Sequence, residues 1–333
     1  MNNKKVQEKK TLFWKSENGA VRCELCPHNC LVQKGDAGLC GVRENNNDKM
    51  ISTVYGYPSA LHADPIEKKP LFHFLPGTRS FSIGTWGCNL FCKFCQNWQL
   101  IESSDYRTAW HEPENIVKMA QETGCKSIAF TYNEPIIFSE YALDIQKIAK
   151  AAGLACIYVT NAYITDTARD KVFSGLNAVN IDLKAFSEEV YKKYIGGRLR
   201  PVLDTIKYCV DNGIHTEITT LVIPGVNDDD DHIKKECEWI IENCGEDVPL
   251  HINAFHPAYK MMDYPMTPRK TLQRTKETAK TCGLHYVYVG NYPGFDNNTY
   301  CHQCGHKIID RNTYPFRLDK KHEHKTPVIW SFS

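Results

Sequence analysis

Three cysteines stand close together in the sequence, directly after a short apolar run at residues 81–83. Cys88, Cys92 and Cys95 have the spacing C-x3-C-x2-C. Cysteine thiolates hold iron–sulfur clusters, and a 4Fe–4S cluster has one coordination position for each iron. Three thiolates leave the fourth iron open, and an open position separates a catalytic metal site from a closed structural one. The spacing therefore predicts a 4Fe–4S cluster that can bind a further molecule.

The alternatives for this triplet are a zinc knuckle and a cluster that only transfers electrons. Both normally use four protein ligands, and no fourth cysteine lies close by in the sequence. A non-catalytic metal-binding module, in which the cysteines serve structure or contact nucleic acid, is the more distant alternative.

Two further groups of cysteines lie outside the centre of the chain, which has 15 cysteines in all. In a cytosolic protein, clustered cysteines indicate metal rather than disulfides. The C-terminal pair has the sequence C-x2-C-G, which is half of a zinc-ribbon site and needs two more ligands. We expect the chain ends to meet in a second metal site that holds zinc or a second iron–sulfur cluster, with unmetallated thiols as the other possibility. The candidate ligands are Cys23, Cys26, Cys30, Cys40, Cys301 and Cys304.

Strand-like and helix-like segments alternate from residue 79 onward. Short β-branched runs alternate with stretches of helical period, which predicts a parallel sheet with helices outside. Six or more such units indicate an α/β fold, a partial TIM-like (β/α)6 barrel. Strands are expected at 79–84, 127–131, 155–160, 177–183, 215–222, 249–254 and 285–289. Helices are expected at 113–123, 136–151, 165–174, 201–212, 230–244 and 268–281.

The barrel divides the chain into four parts. We expect a flexible leader at 1–20, a small cysteine-rich extension at 21–78, the core barrel at 79–292 and a cysteine-containing segment at 293–333. An extension this short and polar buries little apolar surface, so a metal would have a stabilising role there. Within the last segment, the run KKHEHK at 320–325 is expected to be a solvated tail.

Polar residues follow several of the predicted strands. Function in such barrels lies at the carboxyl ends of the strands. Glu134 follows the second strand and Asn161 the third. Asp182 and Lys184 end the fourth strand, and His251 lies in the sixth. We therefore expect these side chains to gather at one rim of the barrel.

The cysteine motif and its surroundings resemble the radical S-adenosylmethionine (radical SAM) superfamily. Two runs carry the resemblance, Pro70-Leu-Phe-His-Phe-Leu-Pro-Gly77 and Gly87-Cys-Asn-Leu-Phe-Cys-Lys-Phe-Cys-Gln-Asn97. They are similar to the radical SAM enzymes of the AmmeMemoRadiSam system, relatives of the pyruvate formate-lyase activating enzymes. The resemblance covers residues 23–311.

The resemblance implies a reaction and two cofactors, a 4Fe–4S cluster and SAM. In the family, SAM chelates the open iron through its amino and carboxylate groups. One electron, from a donor such as ferredoxin or flavodoxin, then yields methionine and a 5′-deoxyadenosyl radical that abstracts hydrogen from a substrate. The substrate is not specified. If it were a glycyl-radical enzyme, the chain would be an activating enzyme.

The resemblance also implies roles for two of the rim residues. Glu134 matches the acid of the family's Gly-Gly-Glu-Pro motif, which hydrogen-bonds the methionine ammonium, although Tyr132 and Asn133 replace the two glycines. A carboxylate opposite an ammonium makes a charge-assisted hydrogen bond. Asn161 matches the Asp-Thr-Asn-Gly motif near the SAM ribose, with Val159 in place of the aspartate.

Three more rim residues have family counterparts. Asp182 and Lys184 match an Asp-Leu-Lys motif whose lysine approaches SAM, and a plain ion pair on one strand face is the alternative. His251 matches a histidine near SAM in the activating enzymes, and a hydrogen-bonded rim histidine is the alternative.

Composition limits the classes of partner and the cellular compartment that we expect for this chain. A net charge of +1 with 24% charged residues gives no electrostatic reason to expect nucleic acid or an anionic membrane. The sequence shows neither a signal-peptide core nor an apolar run of membrane length. We therefore expect a cytoplasmic protein whose partners are SAM, an electron donor and an unidentified substrate, either a small molecule or a protein.

Overall fold

Two small antiparallel sheets lie at the beginning of the described chain. The computed structural model describes residues 9–102, 108–313 and 315–331. One sheet has the order β1-β6-β5 and the other the order β2-β3-β4. The strands are β1 (Lys9–Lys10), β2 (Trp14–Glu17), β3 (Ala20–Cys23), β4 (Leu31–Val32), β5 (Arg43–Asn46) and β6 (Lys49–Ser52).

The expected flexible leader is only partly within the described chain. Residues 1–8 lie outside the described residues, whereas residues 9–20 contribute β1, β2 and the first residue of β3. This part is therefore paired with other strands and is not a free leader. Hydrophobic patterning did not reveal it because each strand is short and carries several charged or polar side chains.

The main sheet has eight strands in sequence order, seven of them parallel. The first strand, β7, is antiparallel to the next one and forms an edge, and the opposite edge is β14, so the barrel is partial as predicted. The strands are β7 (Ala60–Pro65), β8 (Arg79–Gly84), β9 (Ser127–Phe130), β10 (Ala155–Thr160), β11 (Ala178–Asp182), β12 (His215–Val222), β13 (Leu250–Ala254) and β14 (Val287–Val289).

All seven predicted barrel strands are present, because their β-branched and apolar residues are buried on both faces of a parallel sheet. Strand β7 was not predicted, since its sequence ALHADP is mixed in polarity and ends in proline, which sheets tolerate at an edge. The last part of the expected extension at 21–78 thus pairs with the main sheet.

Helices connect the parallel strands on the outside of the sheet. They are α1 (Gln99–Glu102), α2 (Pro113–Glu122), α3 (Ser139–Ala151), α4 (Asp166–Phe173), α5 (Glu188–Val190), α6 (Leu199–Asp211), α7 (Asp230–Cys244) and α8 (Arg269–Cys282). Short 3₁₀ turns at Ile66–Lys68 and Pro135–Phe138 and a π-helical turn at Tyr191–Ile195 complete the list. None of the helices in the described chain combines the length and the apolarity that a membrane span requires.

A buried ion pair joins the N-terminal sheets to helix α3. The Arg43 guanidinium donates to both carboxylate oxygens of Glu140 at 3.0 Å, and both side chains are almost fully buried. The same Glu140 carboxylate accepts the Leu12 N–H at 2.7 Å, and Arg43 donates to the Leu12 carbonyl at 2.6 Å. A buried charge of this kind is tolerated because an opposite charge lies at hydrogen-bond distance. The contact therefore fixes the N-terminal part on the barrel.

A third small sheet follows the barrel. It consists of β15 (Thr299–Tyr300), β16 (Lys307–Asp310) and β17 (Arg317–Leu318). The chain then returns to the amino end of the barrel, where the Ile329 N–H donates to the His73 carbonyl at 2.7 Å and its carbonyl accepts from the Leu75 N–H at 2.8 Å. This contact holds the last described residues against the base of the barrel.

Candidate cofactor site at the carboxyl ends of the strands

A cavity of about 370 Å³ opens at the carboxyl ends of the parallel strands. Its volume lies within the range of pockets that bind small molecules, about 300–1,000 Å³. Seven of the residues named from the sequence line it, together with Asn253 and His256. The predicted residues in the wall are Cys88, Cys92, Cys95, Glu134, Asn161, Asp182 and Lys184. Among them, Cys92, Glu134 and Asn161 are buried and the others are half-buried.

The three central thiols face this cavity without disulfide partners. Burial raises the pKa of Cys92 to about 12 and also raises that of Cys88 and Cys95. Among the described residues, the sets of ligand atoms that all lie within 4.8 Å of one another do not include these three sulfur atoms. Thiolate ligands of a single zinc ion would lie only about 3.8 Å apart. The wider spacing fits a multi-iron cluster better than a single ion.

Hydrogen bonds to the Cys88 sulfur also suit a cluster. The Leu90 N–H donates to it at 3.4 Å, and the amide of Asn161 lies at 3.8 Å. Hydrogen bonds of this kind to the ligating sulfur atoms are among the factors that set the potential of an iron–sulfur cluster. The donor set therefore fits a cluster held by three thiolates.

Residues 87–97, which we call the cysteine loop, are held in place by the side chain of Asn133. Its amide oxygen accepts the Thr85 N–H at 3.0 Å. Its amide nitrogen donates to the Thr85 hydroxyl at 3.1 Å, to the Trp86 carbonyl at 3.1 Å and to the Gly87 carbonyl at 2.9 Å. Asn133 thus provides hydrogen-bond partners for the backbone groups that lead into the cysteine loop.

We expect Asn133→Ala to loosen the cysteine loop. The substitution leaves several half-buried backbone groups without partners, at about 1–3 kcal/mol each, so the free energy of unfolding should fall by about 2–3 kcal/mol. Denaturant unfolding and the iron content after anaerobic reconstitution measure the effect. Asn243→Ala, which removes one hydrogen bond on the outer helix α7, is the matched control. Equal stability and iron content in the two variants would refute the role of Asn133.

The N-terminal cysteine segment packs directly on the cysteine loop. Gly87 has φ +81°, and a Cβ at this position would overlap the carbonyl oxygen of Cys40. A glycine is therefore needed both for the left-handed backbone and for the close approach. His28 Nε2 lies 2.7 Å from the Asn89 carbonyl oxygen, which adds a second contact. These contacts place the N-terminal cysteine segment beside the cysteine loop.

Glu134 is held by three donors in the cavity wall. Its carboxylate accepts hydrogen bonds from the Thr160 hydroxyl (2.6 Å), the Asn161 N–H (2.7 Å) and the Ile136 N–H (3.1 Å). Burial nevertheless raises its pKa to about 7. A positively charged or hydrogen-donating ligand in the cavity would favour the ionised form, since opposite charge lowers a carboxyl pKa. Glu134 is thus placed to bind such a group.

The side chain of Asn161 is already engaged within the protein. Its amide nitrogen donates to Asn89 Oδ1 at 2.9 Å, and its oxygen accepts the Tyr163 N–H at 2.9 Å. The residue lines the cavity and joins β10 to the cysteine loop. These contacts make Asn161 a positioning residue, and its expected contact with a ribose stays a prediction.

Asp182 and Lys184 form an ion pair at the end of β11, with 2.9 Å between Lys184 Nζ and Asp182 Oδ2. Burial by itself lowers the pKa of Lys184, but the Asp182 carboxylate and Cys92 raise it above its ordinary value. The lysine is therefore cationic and close to the cysteine loop. The ion pair that was the alternative to a SAM contact is therefore present, and both of its residues also line the cavity.

His251 lies away from the cavity, contrary to the expectation that it approaches SAM. It is fully buried inside the barrel, and its Nε2 lies 2.6 Å from a carboxylate oxygen of Glu217. The ring of Phe72 packs edge-on against it. Glu217 also accepts the N–H groups of Phe72 and His73, so this network joins the 70–77 segment to the barrel interior. The expectation fails because β13 places His251 one inward position below Asn253, which does line the cavity.

The expected union of the N-terminal and C-terminal cysteines in one metal site is wrong. Cys301 Sγ lies 3.5 Å from His324 Nδ1, and Cys304 Sγ lies 3.6 Å from His322 Nε2. These four ligand atoms all lie within 4.8 Å of one another in the described chain, and the set contains none of Cys23, Cys26, Cys30 and Cys40. The segment 320–325 is therefore not a free solvated tail. Sequence reasoning missed the histidines because their spacing from the cysteines matches no simple motif.

Comparison with known proteins gives the class. The family model of the Radical SAM superfamily matches residues 82–237, which begin in β8 and include the cysteine loop. A GTP 3′,8-cyclase of Staphylococcus haemolyticus is 25% identical over 152 residues, which are 43% of this chain and 45% of the cyclase. A radical SAM methyltransferase from Sphaerobacter thermophilus has the same fold, with a TM-score of 0.50 at 15% identity, over 68% of this chain and 70% of that one.

These observations define a radical SAM protein. The chain belongs to this superfamily. It is also 38% identical over 309 residues to the uncharacterized protein MJ0808 of Methanocaldococcus jannaschii, across 92% of both chains. Members of the superfamily are enzymes that use a 4Fe–4S cluster and SAM.

Proposed function

We propose that this protein is a radical SAM enzyme in which Cys88, Cys92 and Cys95 hold a 4Fe–4S cluster. The observation that carries the proposal is the position of these three thiols and the Glu134 carboxylate in the wall of one cavity at the strand ends. When bound, the cluster would supply the one electron needed to cleave SAM to methionine and a 5′-deoxyadenosyl radical, which would take a hydrogen atom from the substrate.

The residues of the chain bind and orient the cofactors. The Glu134 carboxylate accepts a hydrogen bond from the amino group of SAM, and the cation of Lys184 favours the negative charge on the thiolates. Leu90 and Phe94 line the cavity with apolar surface, which helps to exclude water. A dry site matters because a carbon radical abstracts hydrogen from any donor that it meets.

The test of this function is anaerobic reconstitution with iron and sulfide, followed by reduction in the presence of SAM. We expect 5′-deoxyadenosine to form, together with an electron paramagnetic resonance signal of a reduced 4Fe–4S cluster that changes when SAM is added. A reconstituted, reducible cluster that gives neither the nucleoside nor the spectral change would contradict the proposal and favour a non-catalytic metal-binding module.

The size of the cavity bears on the class of substrate. The cavity of about 370 Å³ lies at the lower end of the range of small-molecule pockets, about 300–1,000 Å³, which leaves no room for a long peptide segment. We therefore favour a small-molecule substrate or a short side chain presented by a protein. The alternative of a glycyl-radical-enzyme activating enzyme, like the relation to the AmmeMemoRadiSam system, rests on the resemblance of the runs 70–77 and 87–97. Formation of a glycyl radical on an added partner protein would decide for that alternative.

An electron donor of the ferredoxin or flavodoxin class would complete the reaction. Phe91 and Lys93 are exposed on the cysteine loop, directly beside Cys92. The Lys93 backbone is fixed from both sides, because its N–H donates to the Tyr194 carbonyl and its carbonyl accepts the Lys260 N–H. This rigid basic and apolar surface over the cluster site fits an acidic one-electron carrier.

We further propose that Cys23, Cys26, Cys30 and Cys40 hold a second iron–sulfur cluster. The thiols are close enough to influence one another, since burial and then the neighbouring cysteines raise the pKa of Cys26, which reaches about 12. In the described chain, however, no three of them are as close as 4.8 Å. A zinc ion would hold its sulfur ligands about 3.8 Å apart, so the spacing favours a cluster.

Cys26→Ser is expected to remove about four iron atoms per chain from the reconstituted protein, which is one 4Fe–4S cluster. The change should reduce the iron–sulfur absorption by about half, since the central cluster remains. Iron and sulfide analysis measures it. Cys237→Ser, at a buried cysteine of α7, is the control and should retain all iron. Loss of zinc rather than iron, or no loss of metal, would contradict a second cluster.

A further inference from the structure

We propose that Cys301, Cys304, His322 and His324 bind one Zn²⁺ ion in a closed structural site. The two sulfur and two imidazole nitrogen atoms all lie within 4.8 Å of one another. In tetrahedral zinc sites, Zn–S bonds of about 2.3 Å and Zn–N bonds of about 2.0 Å place the ligand atoms about 3.3–3.8 Å apart. The observed sulfur–nitrogen distances of 3.5 Å and 3.6 Å fall in this range.

The backbone around the cysteine pair has the form of a metal-binding knuckle. Cys301 follows β15 directly, and its N–H donates to the His306 carbonyl at 2.8 Å. The Gly305 N–H closes the turn on the Cys301 carbonyl at 2.9 Å. The turn is therefore closed by its own backbone hydrogen bonds, with Cys301 at its first position and Cys304 three residues later.

The chemistry of the four ligands favours zinc as the metal and a structural rather than a catalytic role. Two thiolates and two imidazoles form a soft to borderline donor set that suits zinc, and four protein ligands leave no position for a substrate. A neighbouring set, His306, Asp319 and His322, shares one histidine but contains no thiol and no fully buried ligand. His306 already pairs with Asp319 at 2.9 Å. The thiol-containing set is therefore the stronger site.

The apolar core of the C-terminal sheet is small. Its buried core consists of Cys301, Ile308, Ile309 and Val328, with Leu318 and Trp330 packed against it. A core of this size supplies little stability by itself, and small units of this kind commonly need a metal. The zinc would join the sheet to the following residues, and Ile329 of that segment pairs with the backbone at the base of the barrel. The site thus connects the end of the described chain to the barrel.

The test is the zinc content of the full chain purified without chelator, measured together with iron by mass spectrometry. We expect the wild-type chain to contain one zinc that resists moderate EDTA, and Cys304→Ser and His322→Ala to lose it. The control is His302→Ala, which removes an exposed histidine of a different set. Zinc that is equally present in all four proteins, or lost also in His302→Ala, would overturn the proposal.

A second variant separates loss of a ligand from loss of the local fold. His322→Cys keeps four ligands, so it should retain one zinc per chain, and with Co²⁺ in place of zinc its thiolate-to-cobalt charge-transfer band should be stronger than that of the wild type. Absence of cobalt binding in both proteins would refute the site. Iron content and 5′-deoxyadenosine formation should stay unchanged in His322→Ala. The test of the zinc site is therefore independent of the test of the proposed function.

Discussion

Cys92→Ala should reduce 5′-deoxyadenosine formation to the level of a protein-free control. The cavity wall offers three thiols to the central cluster, and removing one leaves two ligands for four irons. Without the cluster, no group in the site can deliver an electron to SAM, since the cofactor and not the protein carries this chemistry. The measurement is nucleoside formation by the anaerobically reconstituted variant with a strong reductant, alongside its iron content.

The control for this variant is Cys156→Ala. Cys156 is equally buried but lies within β10, away from the cavity wall. Its replacement should cost about 1 kcal/mol of stability at most and leave iron content and nucleoside formation intact. Nucleoside formation by Cys92→Ala at more than a small fraction of the wild-type rate would exclude Cys92 as a ligand. A loss in both variants would indicate general instability, which thermal unfolding would reveal.

Glu134→Gln should weaken SAM binding by about 10- to 100-fold, with little change in iron content. A hydrogen bond to a charged group contributes about 1.5–3 kcal/mol, and each 1.4 kcal/mol is a factor of ten in Kd. The glutamine keeps the volume of the side chain but removes the charge that faces the cavity. Equilibrium binding of SAM to the reconstituted, unreduced protein measures the effect without any need for turnover.

The same carboxyl group predicts a pH dependence. Because burial raises the pKa of Glu134 to about 7, the group is mostly neutral at pH 6 and mostly ionised at pH 8. SAM prefers the ionised form, so its affinity should rise by about tenfold between these pH values through this group. The Glu134→Gln variant should lack this part of the pH dependence.

Glu236→Gln is the matched control for Glu134. Glu236 is also a fully buried glutamate, and burial raises its pKa to about 8, but it bonds to Thr220 and does not line the cavity. Its replacement should leave SAM affinity and its pH profile unchanged. If both glutamine variants lost affinity equally, the effect would come from the barrel as a whole, and the specific role of Glu134 would be refuted.

The sequence predicted the barrel because its signals are local. Each strand of the sheet is a short run of β-branched and apolar residues, and each outer helix has a helical hydrophobic period, so both are readable within about 15 residues. The cysteine spacing is local as well, because the three ligands share one loop. Strand β7 escaped prediction because an edge strand needs no regular hydrophobic pattern, only a partner for its backbone.

The sequence also pointed to the residues at the strand ends, because parallel strands all bring their carboxyl ends to the same rim. It did not separate Glu134, which faces the cavity, from His251, which lies one inward position deeper and bonds to Glu217. Glu134 follows the end of β9, whereas His251 lies within β13, but both positions point toward the inside of the predicted barrel. Only the depth of each position in the assembled barrel distinguishes them.

By itself, the sequence therefore determined the fold class, the three-thiol loop and the rim on which the site is built. The tertiary structure decided the partners: Asn133 with the entry to the cysteine loop, Cys40 against Gly87, and Cys301 and Cys304 with two histidines rather than with the N-terminal cysteines. The physical reason is that secondary structure follows from short-range periodicity, whereas these pairings join residues far apart in the chain. They form wherever packing brings together groups that must be hydrogen-bonded or can share a metal.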